Sequence, residues 1–114
     1  MPELINLKPQ QVLELLETDN VLLVDVREMS EYSAKHIKGS LLLPMSVFDP
    51  EDFTAIKGVK VVLICALGKR SVAAGKQLLL AGETTLPLFN LEGGIKAWAE
   101  AGLPLILAPE DYSI

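Results

Sequence analysis

The chain has one cysteine, Cys65, and one histidine, His36. A single cysteine excludes an intramolecular disulfide, a Cys-x-x-Cys redox pair and a cysteine zinc cluster. A single histidine leaves no histidine metal site, and no cofactor is implied. Positive charge is also scarce: 10 Lys and Arg stand against 15 Asp and Glu, for a net charge of -5. Such a chain repels a phosphate backbone, and no basic stripe overrules the balance, so nucleic acid is not an expected partner. Small anions remain compatible, because they answer to a local field and not to the total. Met1-Pro2-Glu3-Leu4 lacks the basic start and apolar run of a signal peptide. The longest apolar stretch, Val61 to Leu67, is far short of the roughly 20 residues that span a bilayer. The expectation is a soluble cytoplasmic protein with no membrane partner.

What is present suits a folded domain. The 114 residues are 50% hydrophobic, enough for a core without disulfides or metal. We expect one domain over residues 1–108 and a short, loosely held C-terminal tail over 109–114. Val21–Val26, Ser40–Leu43 and Lys60–Ile64 read as strands, the first and last almost continuously apolar, as in strands covered on both faces. Ile5 begins a further short strand, and Leu86–Asn90 is a weaker candidate that Pro87 shortens. Between them lie helical patterns. Pro9–Glu17 places Val12, Leu13 and Leu16 on one face. Glu28–Lys35 is short and polar, Ser71–Ala81 is stopped by Gly82, and Gly94–Ala101 is stopped by Gly102. Residues 46–57 hold one more irregular or helical piece, led by Ser46 and centred on Phe53. The apolar segment Leu103–Leu107 packs either on the domain or on a second copy.

Strand alternating with helix implies a parallel sheet with helices on both faces. In such sheets ligands lie beyond the carboxyl ends of the strands, and after Ile64 comes Cys65. The loop Cys65-Ala66-Leu67-Gly68-Lys69-Arg70-Ser71 runs from strand to helix, so the thiol faces unpaired helix N–H groups that stabilise a thiolate. Lys69 and Arg70 act in the same direction, and Gly68 lets the loop curl into an anion nest. A lone cysteine at a strand end is usually only a small buried hydrophobe. The Gly, Lys and Arg that follow it tilt the reading toward a reactive thiol.

Four segments, in order, resemble the rhodanese family of sulfurtransferases: Asp25-Val26-Arg27-Glu28 with Glu31-Tyr32; His36-Ile37-Lys38-Gly39-Ser40, closing at Pro44; Cys65, Gly68, Arg70 and Ser71 of the loop; and Leu91-Glu92-Gly93-Gly94-Ile95 with Trp98 and Pro104. Leu42 and Ser40 depart from the asparagine and alanine usual there, and Ala66 and Leu67 are less polar than in many family loops. The resemblance implies an α/β rhodanese-like fold with a central parallel five-stranded sheet and helices on both faces. It implies a thiosulfate sulfurtransferase type of enzyme in which Cys65 attacks a donor's outer sulfur, giving a persulfide that passes to an acceptor by double displacement. The donor is a small anion such as thiosulfate. With no second cysteine, the acceptor comes from outside: cyanide, a small thiol, or a protein cysteine. Ala66, Leu67, Gly68, Lys69, Arg70 and Ser71 would hold the substrate, while Asp25 and Arg27 would brace the site as an ion pair. His36 fits scaffold better than a Cys–His dyad. Two alternatives stand beside this: a catalytically silent binding or regulatory module, and a phosphatase of the same fold. Phosphatases of that kind use a longer spacer than the four residues between Cys65 and Arg70.

Overall fold

In the computed structural model, which describes residues 3–82 and 84–109, Val61, Val62, Leu63 and Ile64 are all fully buried. A strand hides consecutive side chains in this way when both its faces are covered. In chain order the elements are β1 (Leu4–Leu7), α1 (Pro9–Thr18), β2 (Val21–Asp25), α2 (Met29–Ala34), β3 (Lys35–His36), β4 (Leu41–Leu42), β5 (Lys60–Ile64), α3 (Arg70–Ala81), β6 (Leu88–Leu91), α4 (Gly94–Glu100) and β7 (Ile106–Leu107). The main sheet has five parallel strands in the order β1-β6-β5-β2-β4, so β5 lies at its centre.

Alternation along β5 divides the core in two. Val61, Leu63 and Cys65 join Val24, Phe53, Ala74, Leu78 and Leu88 on the α3 face. Val62 and Ile64 point the other way, to Val12 of α1, Ile95 and Trp98 of α4, Leu23 and Leu91. Each large side chain so buried stabilises the fold by roughly 2 kcal/mol. The α/β architecture with helices on both faces therefore follows from the alternating runs of the sequence. Cys65 continues the α3-facing row one residue beyond the end of β5.

Three regions refine the sequence reading. The irregular or helical piece expected over residues 46–57 is a 3-10 turn at Met45–Val47, begun one residue before Ser46, and a second at Pro50–Phe53 capped by Asp49. The Ser46 hydroxyl donates to Glu28 Oε1 at 2.9 Å. Leu103 and Leu105 pack on the α1/α4 side of the core, and β7 pairs antiparallel with β3, His36 opposite Ile106. The segment thus lies on its own domain. Residues 110–114, most of the expected tail, lie outside the described residues. Among the described residues no helix is long and apolar enough to cross a membrane.

Candidate active site

The loop after β5 is fixed from below before its side chains are considered. Ile95 N–H donates to the Cys65 carbonyl at 2.9 Å, and Lys96 N–H to the Ala66 carbonyl at 3.1 Å. The start of α4 therefore seats the backbone immediately after the Cα of Cys65. This docking requires glycine: a Cβ on Gly94 would lie 2.4 Å from the Cys65 carbonyl oxygen. Gly68 has φ +87°, and a Cβ there would meet Gly93 N at 2.9 Å. The glycines of two distant segments are thus parts of one joint.

With its backbone so held, the loop turns N–H groups toward Cys65. Gly68 N–H donates to Sγ at 3.0 Å, and the Ser71 hydroxyl lies within donating distance at 3.3 Å. Burial pushes the thiol pKa up, but the Ser71 hydroxyl and the backbone N–H groups of Ser71, Leu67 and Gly68 outweigh it and hold the thiol below its ordinary value. The residue is only 1% exposed, yet it lines a cavity of about 240 Å³ together with Ala66, Leu67, Lys69 and Arg70. A second cleft of about 450 Å³ adjoins Ala66 and Leu67 and is bounded by Arg27, Glu31, Ile95 and Lys96. A thiol of lowered pKa at a helix start, held by the Gly68 N–H and the Ser71 hydroxyl and facing a small cavity, is equipped for nucleophilic attack on an electron-poor atom. Among the described residues no group of acidic, histidine and cysteine side chains gathers to hold a metal.

A family model for the rhodanese-like domain matches residues 8–101. The chain belongs to this family. It is 40% identical over 96 residues to a sulfurtransferase of Allochromatium vinosum, covering 84% of this chain and 87% of the relative. It is 37% identical over 102 residues to an uncharacterized protein of Synechocystis sp., covering 90% of this chain but only 56% of that protein, so it spans about half the length of that relative. Among solved structures, a rhodanese-related protein of Thermoplasma volcanium superposes with a TM-score of 0.78 at 30% identity, covering 90% of this chain and 98% of the other.

Within this rhodanese-like domain each of the two arginines is held by a carboxylate, Arg27 in the ion pair that the sequence suggested. Arg27 is buried and bidentate on Asp25, with Nη2–Oδ2 at 2.8 Å and Nε–Oδ1 at 3.0 Å. Its remaining donors reach the Lys35 carbonyl at 2.7 Å and the Glu31 carbonyl at 3.4 Å, so the pair ties the end of β2 to the end of α2. Arg70, which the sequence presents as a cation favouring the thiolate and holding an anionic substrate, is bidentate on Glu31, with Nη1–Oε1 at 2.7 Å and Nη2–Oε2 at 2.8 Å. That bond accounts for the upward shift of the Arg70 pKa ahead of burial, which opposes it, and the Cys65 charge adds to the shift after Glu31. The Arg70 hydrogen bond likewise holds the Glu31 carboxyl down at about 2. The hydrogen-bond donors of the loop, more than free cations, therefore favour the thiolate.

Two residues of the site carried no role in the sequence reading. Glu31 sits 39 positions from its partner Arg70, a separation that no local pattern reveals. Asn90 is 2% exposed and accepts a hydrogen bond from the Ser71 hydroxyl. Its signal was present, because a polar side chain inside an otherwise apolar strand must find partners. His36 is not drawn into the site: its ring stacks on Tyr32 with centroids 3.9 Å apart, and Nδ1 lies 2.9 Å from the Tyr32 carbonyl.

Proposed function

We propose that this protein transfers sulfane sulfur through a persulfide on Cys65. The observation that carries the reading is a pair of donors on one sulfur: the N–H of Gly68 at 3.0 Å and the hydroxyl of Ser71 at 3.3 Å. The Cys65 thiolate attacks the outer sulfur of a donor such as thiosulfate, the donor's S–S bond breaks, and sulfite leaves with the electron pair. An acceptor nucleophile, cyanide or a thiolate, then attacks the outer sulfur of the persulfide and releases the Cys65 thiolate. No electrons are gained or lost overall. The loop from Ala66 to Ser71 cradles the substrate, and Asp25 with Arg27 supports the loop from below.

The name carried by the Allochromatium relative supports this activity, and Cys65 supports it against a silent binding module, which needs no nucleophile. With one cysteine in the chain, the acceptor is external, and a cysteine on a partner protein fits as well as a small thiol. The half-exposed Leu67 at the mouth and its neighbour Ala66 offer such a partner apolar contact. We place this chemistry in the reducing cytoplasm, where an unpaired thiol persists. Intact-protein mass spectrometry after incubation with thiosulfate tests the proposal. A gain of one sulfur, reversed by cyanide and absent in Cys65→Ser, is the expected result. No gain from thiosulfate, a polysulfide or an organic persulfide overturns it.

A further inference from the structure

The Ser71 hydroxyl has one proton and two acceptors. Cys65 Sγ lies 3.3 Å from it on one side, and the Asn90 side-chain oxygen is in close contact on the other. Both Ser71 and Asn90 are essentially buried, at 0% and 2% exposure, so no bulk water competes for that proton. Asn90 is itself held. Its Nδ2 donates to Asn6 Oδ1 at 2.9 Å, across the β1–β6 pairing in which the two asparagines are register partners, and approaches the Gly68 carbonyl at 3.5 Å. Because the Gly68 carbonyl can only accept, the atom facing it must be the amide nitrogen, and the oxygen is left aimed at Ser71.

The geometry points to Asn90 as a positioning residue that divides the Ser71 proton with the Cys65 sulfur. When the sulfur is a thiolate, the hydroxyl turns to it. When the sulfur is uncharged, the hydroxyl returns to the Asn90 oxygen. A persulfide, the state that rests on the function proposed above, carries its charge on the outer sulfur and leaves Sγ uncharged, so it belongs to the second case. Asn90 thereby gives the hydroxyl a fixed resting place and opposes complete ionisation of the free thiol. Asn6 thus holds Asn90, and Asn90 and Cys65 face the one Ser71 proton from opposite sides.

The test is a double-mutant cycle read on the apparent pKa of Cys65, taken from the pH dependence of its alkylation by iodoacetamide. The charged groups about the thiol are Arg70 with Glu31, Lys69, the Asp25–Arg27 pair and Lys96 on α4. They are the same in every variant and cancel in the cycle. Asn90→Ala is expected to lower the pKa by about half a unit more in the otherwise unchanged protein than in the Ser71→Ala background, the size of one ordinary hydrogen bond. Equal shifts in the two backgrounds, or a coupling of opposite sign, overturn the proposal. Should Asn90→Ala fail to fold, nuclear magnetic resonance supplies the reading without it. The Asn90 side-chain amide signals should move with the Cys65 titration and cease to do so in Ser71→Ala, and signals that ignore the titration overturn the proposal. Neither readout uses a sulfur donor, so failure here is distinct from failure of the persulfide reading.

Discussion

Two arginine–carboxylate pairs stand near the carboxyl ends of β2 and β5, with nearly the same bond lengths and different consequences. In Asp25–Arg27 the closest contact is 2.8 Å, with side chains 0% and 3% exposed; in Glu31–Arg70 it is 2.7 Å, with 33% and 40% exposed. Geometry does not separate them; solvent does. The buried pair has no water to fall back on, so either partner alone would be an uncompensated charge in the core. The outer pair is screened and replaceable, and what it governs is the field at the mouth of the Cys65 pocket. The first pair belongs to folding and the second to tuning.

The sharpest way to break the comparison is Arg27→Ala. It strands the Asp25 carboxylate and frees the Lys35 carbonyl, and urea denaturation should show a loss of about 3–5 kcal/mol. If the cost is the unpaired charge, the double substitution Asp25→Leu with Arg27→Met should recover most of that loss. A double variant no more stable than Arg27→Ala would show that the bonds to α2 and β3, not the charge, carry the cost.

Glu31→Gln should change the stability read from the same denaturation by no more than about 1 kcal/mol. It should nevertheless alter the site, because Arg70 would then stand uncompensated near the sulfur. Loading of Cys65 by thiosulfate should become several-fold faster while loading by an uncharged donor stays nearly constant. Equal effects on both donors would remove Arg70 from any part in steering.

The smallest effect is expected from acid. The Glu31 carboxyl is held at about 2, below its ordinary 4.5, so its contribution is fully present above the ordinary value. It declines as pH falls below that value and is gone once pH has fallen through about 2. A titration of the Glu31 carboxyl resonance should therefore find its midpoint well below 4.5, and in Arg70→Ala the midpoint should return toward that ordinary value.

The fold was legible wherever the information was local. Val61 to Ile64 announced a doubly covered strand because a short, β-branched apolar run flanked by glycines suits a strand buried on both faces. Pro87 correctly shortened β6 to Leu88–Leu91, since proline cannot donate to a ladder. Cys65 stood out because a strand end followed by glycine and basic residues is a physical arrangement as well as a sequence. The β3–β7 pairing was not legible, because two-residue strands carry no periodicity, and neither was the meeting of Ala66 with the start of α4.

The sequence by itself determined the order of the main strands and helices, the place of Cys65 at the carboxyl end of its strand, and the exclusion of an intramolecular disulfide. Each follows from side-chain alternation, helix stops and the count of one cysteine. Only the tertiary structure decided that Arg70 is bound to Glu31, that Gly94 must be glycine to seat the Cys65 loop, and that Asn90 shares the proton of Ser71. These are contacts between segments 19 to 39 positions apart. Periodicity says which way a side chain points, but what it meets depends on the packing of the elements that carry both partners.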